Sequence, residues 1–276
     1  MTAPQHAPAP YSYVSPIPVR RATLGDALAS EWTKIRSVRS TLWTLGVMIL
    51  LMVGIGLGVA AIAAGSHSPM GEESALTFGF FGMLPASICV ITLGVLTVAS
   101  EYGTGMIRTT LTACPSRARV LTAKALVFFL LVFSVTTVVA ALVGAAQVAI
   151  VDEAAAPTAA EWLRSTVGAG AYLALLGLLS LALGTLIRHS AGAITVMIGL
   201  LLLPLVVALF MFSEALRTLQ DWIFTYSIPS QMIALYAAEP PLGESGPAGW
   251  DSLGILAGVT AVVLAGAYAA LNSRDV

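Results

Sequence analysis

The sequence predicts an all-α polytopic membrane protein with six transmembrane helices, an N-terminal interfacial elbow helix and both termini cytoplasmic. Three observations predict it. Of 276 residues, 58% are hydrophobic and 10% charged, with a mean hydropathy of +0.91; a soluble domain carries about 45–50% apolar and about 25% charged residues. Six long runs contain no Asp, Glu, Lys, Arg or His. The remaining charges divide unevenly between the connections.

A spanning helix needs about 20 apolar residues, and the runs 41–64, 75–99, 125–151, 165–187, 190–213 and 252–273 all meet that length. Helices are expected because lipid cannot satisfy an open backbone. The first run starts too late and runs too long for a cleaved leader, and the Pro-rich residues before it do not resemble one. Residues 1–22 read as a disordered cytoplasmic tail, and 23–276 as one six-span domain.

Orientation follows from the basic residues. With six spans, all of the 13 Lys and Arg except Arg164 and Arg217 fall on the side that holds both termini. That side is expected to be cytoplasmic. The formal net charge of -1 gives no reason to expect a nucleic-acid partner. The only lysines are Lys34 and Lys124, while Ala, Gly and Arg abound; that bias suggests a high-GC bacterial genome, and hence a bacterial cell membrane.

Before the first run, Leu24, Leu28, Trp32, Ile35, Val38 and Leu42 recur at the helical period. Thr23 and Asp26 have capping-box spacing. The segment reads as a helix lying in the membrane interface, or as a positive-inside anchor only. In the first span, Gly54 and Gly58 form a small-xxx-small pair suited to close approach by another helix, or else face lipid. Between the fifth and sixth spans, Leu216, Leu219, Ile223 and Tyr226 share a face, and 228–236 is apolar but too short to span. Two short outer helices broken at Pro229 fit this segment, as does a plain surface loop.

Chemistry within the chain finds little support. There is no HExxH, GxSxG or intramembrane carboxylate pair, so neither a catalytic nor a metal site is expected. Cys89 and Cys114 read as incidental, and His6, His67 and His189 as loop or tail residues. Ion coupling needs titratable groups in the membrane, and the runs offer none, with the amide of Gln147 read as the most polar side chain among them. Neither Lys34 nor Lys124 ends a Gly-rich phosphate loop, so the chain holds no cofactor of its own and ATP would be bound elsewhere. The largest inside loop, EYGTGMIRTTLTACPSRARVLTAK at 101–124, is where a partner could grip.

In that loop Glu101, Gly103, Thr104, Leu111, Pro115, Arg117 and Lys124 resemble the E-x-x-GT…L…P-x-R…K pattern of bacterial ABC-2 type transporter permeases. Glu31, Trp32, Lys34, Ile35 and Arg36 resemble the elbow helix that enters the family's first span. The resemblance implies a permease subunit of an ATP-driven exporter, with no enzymatic activity of its own. It implies a second permease subunit, identical or a sibling, and two copies of a separate ATPase holding ATP-Mg. A short coupling helix is expected within 104–112, entered through Gly103 and Gly105 and ended by Pro115. Arg117 and Arg119 would face the ATPase or anionic headgroups, or only set topology. Glu101 would pair with Arg108 or with a basic residue of the elbow such as Arg36, or remain solvated. Gly105 and Met106 follow Gly-Thr where many members carry a charge, which puts an ATPase salt bridge from that place in doubt. Membrane lipids are the remaining expected partner. The alternatives are an ion-coupled or facilitative carrier and a non-transporting anchor for a cytoplasmic enzyme.

Overall fold

The computed structural model describes residues 22–66, 74–114, 116–152, 154–211, 213–236 and 246–273. The expected disordered tail therefore lies, but for Ala22, outside the described residues, and so does Pro115. Among the described residues the structure is helical without strands; Ser74 and Ala155 form an isolated bridge. The helices are α1 (Leu24–Ser37), α2 (Arg39–Ser66), α3 (Gly79–Gly103), α4 (Met106–Ala113), α5 (Arg117–Ile150), α6 (Ala159–Leu163), α7 (Ala169–Ile187), α8 (Ser190–Leu209), α9 (Arg217–Tyr226), α10 (Ile228–Ala234) and α11 (Asp251–Ser273). Six helical segments are long and apolar enough to cross a membrane: α2, α3 with the turn before it, α5, α6 joined to α7, α8 and α11.

The helices outrun the apolar runs that announced them. Helix α5 starts at Arg117, eight residues before the run at 125, because Arg, Ala and Lys are good helix formers and the backbone does not stop where the apolar side chains do. The loop at 101–124 is thereby reduced to two helix ends and α4. In the other direction, α8 stops at Leu209 although its apolar run continues to 213.

Helix α1 opens with the expected capping box: the Asp26 backbone N–H donates to Thr23 Oγ1, and the Thr23 N–H donates to the Asp26 carboxylate. It ends where Val38 turns extended, at φ -87 and ψ 111, and α2 starts afresh at Arg39. Its apolar residues Leu24 and Trp32 are exposed, and Glu31 is its buried residue. Asp26, Ser30, Thr33 and Arg36 are exposed on the same helix, so its outward surface mixes apolar and polar side chains, as suits a membrane interface.

Helix α7 is the axis of the bundle, with α3, α5, α8 and α11 packed around it and α2 laid against α3 and α5. Gly170, Gly177 and Gly184 recur every seven residues along it, which keeps them on nearly one side. A Cβ on Gly177 would strike Phe128 and Val90, and one on Gly94 of α3 would strike the Gly177 carbonyl oxygen. A Cβ on Gly82 would come within 2.6 Å of the Met52 carbonyl. Backbones meet at these glycines, the usual device for helix association without a hydrophobic drive.

Gly54 and Gly58 are not part of this packing, since a Cβ on either meets nothing within 4 Å. Gly56 between them is the packed one. Its Cβ would lie 3.1 Å from Val143, and its carbonyl accepts a 3.0 Å hydrogen bond from Gln147 Nε2. Spacing of four put the pair on one face of α2, but could not say that the intramolecular contact uses the other face.

Between α8 and α11 the short helices are present, with the break at Ser227 rather than Pro229. Pro229 sits in the first turn of α10, where its missing N–H costs nothing. Helix α9 has no buried residue, while α10 is buried along most of its length and places Met232 and Leu235 in the core.

Candidate functional site, a buried ion ring beside an exposed short helix

Four charged residues from three helices meet at the basic end of the bundle. Glu31 and Lys34 stand one turn apart on α1, Glu101 is in the last turn of α3, and Lys124 is two turns into α5. Lys124 Nζ lies 2.8 Å from Glu31 Oε2 and 2.8 Å from Glu101 Oε1. Lys34 Nζ lies 2.8 Å from Glu31 Oε1 and 2.8 Å from the same Glu101 Oε1. Acid and base alternate around a closed ring whose formal charges sum to zero.

The ring is largely buried: Glu31, Glu101 and Lys124 are 4%, 6% and 3% exposed. Isolated, any of these charges would be very costly to bury. Together each ammonium has two carboxylates to compensate it. Glu101 also sits at the C-terminal end of α3, where the helix dipole disfavours an anion, so its two cations offset that as well. Lys34 is the ring's most exposed member. Burial alone would lower its pKa, yet hydrogen bonds to Glu101 and Glu31, with their negative charge, raise it above the ordinary lysine value. It remains charged at any physiological pH.

The partners of Glu101 are therefore Lys34, itself a basic residue of the elbow segment, and Lys124, and not Arg36 or Arg108. Arg36 and Arg108 are both exposed. A lysine suits this junction because its compact ammonium offers three rotatable donors, whereas a planar guanidinium would demand one carboxylate face. Both of the chain's lysines are in the ring, a signal present in the composition but attached there only to genome bias.

Below the ring the chain reverses. Gly103 is the last residue of α3, Thr104 caps it, and Gly105 takes the left-handed conformation at φ 73 and ψ 1. Of the two glycines only Gly105 needs to be one. Helix α4 follows, with Ile107 buried, Leu111 half-buried, and Met106, Arg108, Thr109 and Thr112 exposed. It ends as Cys114 turns extended, the conformation favoured before a proline. Arg108, Leu111, Thr112 and Arg117 surround an open depression of about 260 Å³.

The arginines after α4 act within the chain. Arg117 Nη1 donates to the Leu271 carbonyl at the end of α11, 2.7 Å away, and Arg119 Nη1 donates to the Ala22 carbonyl at 2.6 Å. Arg188, left-handed at φ 58, lies 5.0 Å over the Tyr102 ring. These side chains staple α5 to α11, α5 to the start of α1, and the end of α7 to α3. An apolar-run reading leaves such side chains in loops, with nothing to say which carbonyl or ring they reach.

Six helices long and apolar enough to cross a membrane, a helix with a buried carboxylate before the first and a short, largely exposed helix after the second make up a polytopic membrane subunit. The family model described as ABC-2 family transporter protein matches residues 27–204, so the chain belongs to the ABC-2 transporter family. The match runs from within α1 into α8 and holds the whole ring and α4. Comparison with curated proteins gives no match. The chain is thus a multi-pass membrane protein of that family, in the permease role.

Proposed function

We propose that this chain is one half of the translocation pathway of an ATP-driven exporter in a bacterial plasma membrane, driven by a separate ATPase that binds α4. The observation that carries this reading is the pairing of an exposed α4 with a locked base. Thr109, Thr112 and Arg108 are free to meet a partner, while α3, to which α4 is joined at Gly105, is tied through Glu101 to α1 and α5. A push on α4 would then move the elbow and two spans as one body instead of bending a loop. Mg-ATP would be held by the ATPase, in two copies, and this chain supplies no catalytic residue.

The other half of the pathway would come from a second copy or a sibling chain. Within the bundle, the space among Met52, Val143, Gln147 and Tyr236 amounts to about 10 Å³, room for little more than a water. Apolar residues such as Leu50 and Ile62 on α2 and Leu203 and Leu209 on α8 stand outward. A route for cargo is better supplied between two such bundles than through one.

Two measurements test the reading. On a background lacking Cys89 and Cys114, a cysteine at Ser273 should label only after permeabilisation and one at Ala156 should label from outside. The opposite pattern would put α4 on the wrong side for any ATPase. The full chain, purified from its own host, should carry a stoichiometric ATP-hydrolysing subunit. Its purification without one, at normal membrane abundance, would favour the carrier reading.

A further inference from the structure

Beside the ion ring, the bend between α1 and α2 and the adjoining face of α3 line a partly open cavity of about 290 Å³, for which the transport reading names no occupant. Its size is at the lower end of small-molecule sites. Glu31, Lys34, Glu101 and Lys124, the whole ring, form its charged part; Thr41, Thr44 and Thr97 line its sides, and Val38, Leu93 and Leu96 make its apolar wall. Leu93 is two turns from Glu101 along α3, so the wall runs from the ring into the span.

We propose that this crease binds a phospholipid with a zwitterionic headgroup ending in a primary ammonium, phosphoethanolamine in class. Glu101 accepts both ring bonds at Oε1, and its Oε2, on a side chain more than nine-tenths buried, has no hydrogen-bond donor among the described residues. A buried carboxylate oxygen is costly without a donor, and an N–H would satisfy it. Oε2 is closed to solvent, so access to this carboxylate opens as Lys34, the most exposed ring member at 29%, swings from Glu101 Oε1 to the lipid phosphate while keeping Glu31. Lys124, which bonds both Glu31 and Glu101, still ties α3 to α1 and α5. The ammonium then donates to Glu101, Lys34 donates to the phosphate, and the glycerol and first methylenes follow Leu96 and Leu93.

Charge and shape select the headgroup. The ring is already neutral, so a lone cation or lone anion would leave uncompensated charge in a low-dielectric crease; a zwitterion leaves none. A quaternary ammonium cannot donate to Oε2, and no aromatic side chain lines the cavity to hold one by its face. The proposal depends on the chain's lying in a bilayer, not on its coupling to an ATPase.

The test is native mass spectrometry of the full chain, delipidated in detergent and titrated separately with dioleoyl phosphatidylethanolamine, phosphatidylcholine and phosphatidylglycerol. One phosphatidylethanolamine per chain should be retained about tenfold more tightly than phosphatidylcholine, the effect of one charge-assisted hydrogen bond. Thr97→Phe and Thr41→Trp, which fill the crease from α3 and from α2, should each abolish that preference. Soluble phosphoethanolamine should compete weakly, because it lacks the chain that follows the wall, and octylammonium should not compete. Equal retention of the three lipids in the unaltered chain overturns the proposal, as does competition by octylammonium as strong as by the lipid. A preference that survives in whichever filling variant folds would also overturn it, by placing the lipid elsewhere.

Discussion

Lys124→Met is expected to destabilise the chain by about 3–5 kcal/mol, the effect of removing one member of a buried ion pair and leaving its partner charged. Lys124 is 3% exposed and holds two carboxylates; without it Glu31 and Glu101 share Lys34 alone, and the ring carries a net negative charge. Methionine keeps the volume, so the loss reports electrostatics rather than a cavity. The double variant Lys124→Met with Glu101→Gln should recover more than half of that loss, because Glu31 and Lys34 remain as a neutral pair. Lys34→Met should cost less, about 1 kcal/mol, since this partly exposed ammonium is screened by solvent. Titration of the detergent-solubilised chain with SDS, followed by helicity, measures all three. Additive losses in the double variant would mean that Lys124 and Glu101 are not coupled as the geometry requires.

The second large effect is steric. Gly94→Val should destabilise the bundle by about 3 kcal/mol or more, the upper part of the range for an overpacked core. The added carbons would enter the Gly177 backbone, which cannot rotate aside as a side chain can. Gly54→Leu and Gly58→Leu, on the open side of α2, should change the unfolding of the single chain by no more than about 0.5 kcal/mol. Both measured by the same SDS titration, the two classes separate packing glycines from surface ones. If Gly54→Leu matched Gly94→Val, the assignment of α2's inner and outer faces would be wrong. Should a second subunit lie on that open face, the same variants would weaken assembly while sparing the monomer.

Much of this was legible because membrane insertion writes itself into composition. Charge-free runs announced six spans, Thr23 and Asp26 announced the start of α1, and Gly-Thr-Gly announced the reversal into α4. What was not legible depends on which residues face one another. Glu101 was visible as a carboxylate needing partners, but Lys34 lies 67 residues away from it and Lys124 lies 23 away. No local periodicity connects three helices, and Arg108 and any basic residue of the elbow looked equally able. Arg117 and Arg119 read as surface charges because their acceptors are backbone carbonyls, which every residue has. Gly54 and Gly58 were chosen by spacing, while Gly56, Gly94 and Gly177 were passed over because a glycine's worth depends on the backbone opposite it. Hydropathy also marks where lipid ends, not where a helix ends, and so α5 was expected eight residues late.

The central claim, that α4 is the handle by which a separate ATPase moves these spans, is tested most directly by one insertion. A glycine added after Thr109 rotates the second half of α4 against the first and weakens it by about 1 kcal/mol in propensity alone, while no spanning helix is touched. The quantity to measure is the ATPase retained per chain after purification, at equal membrane abundance of the inserted and unaltered proteins. The account predicts that the inserted chain reaches the membrane normally and loses its ATPase. Full retention, with ATP hydrolysis still tied to transport, would contradict it and place the coupling surface elsewhere.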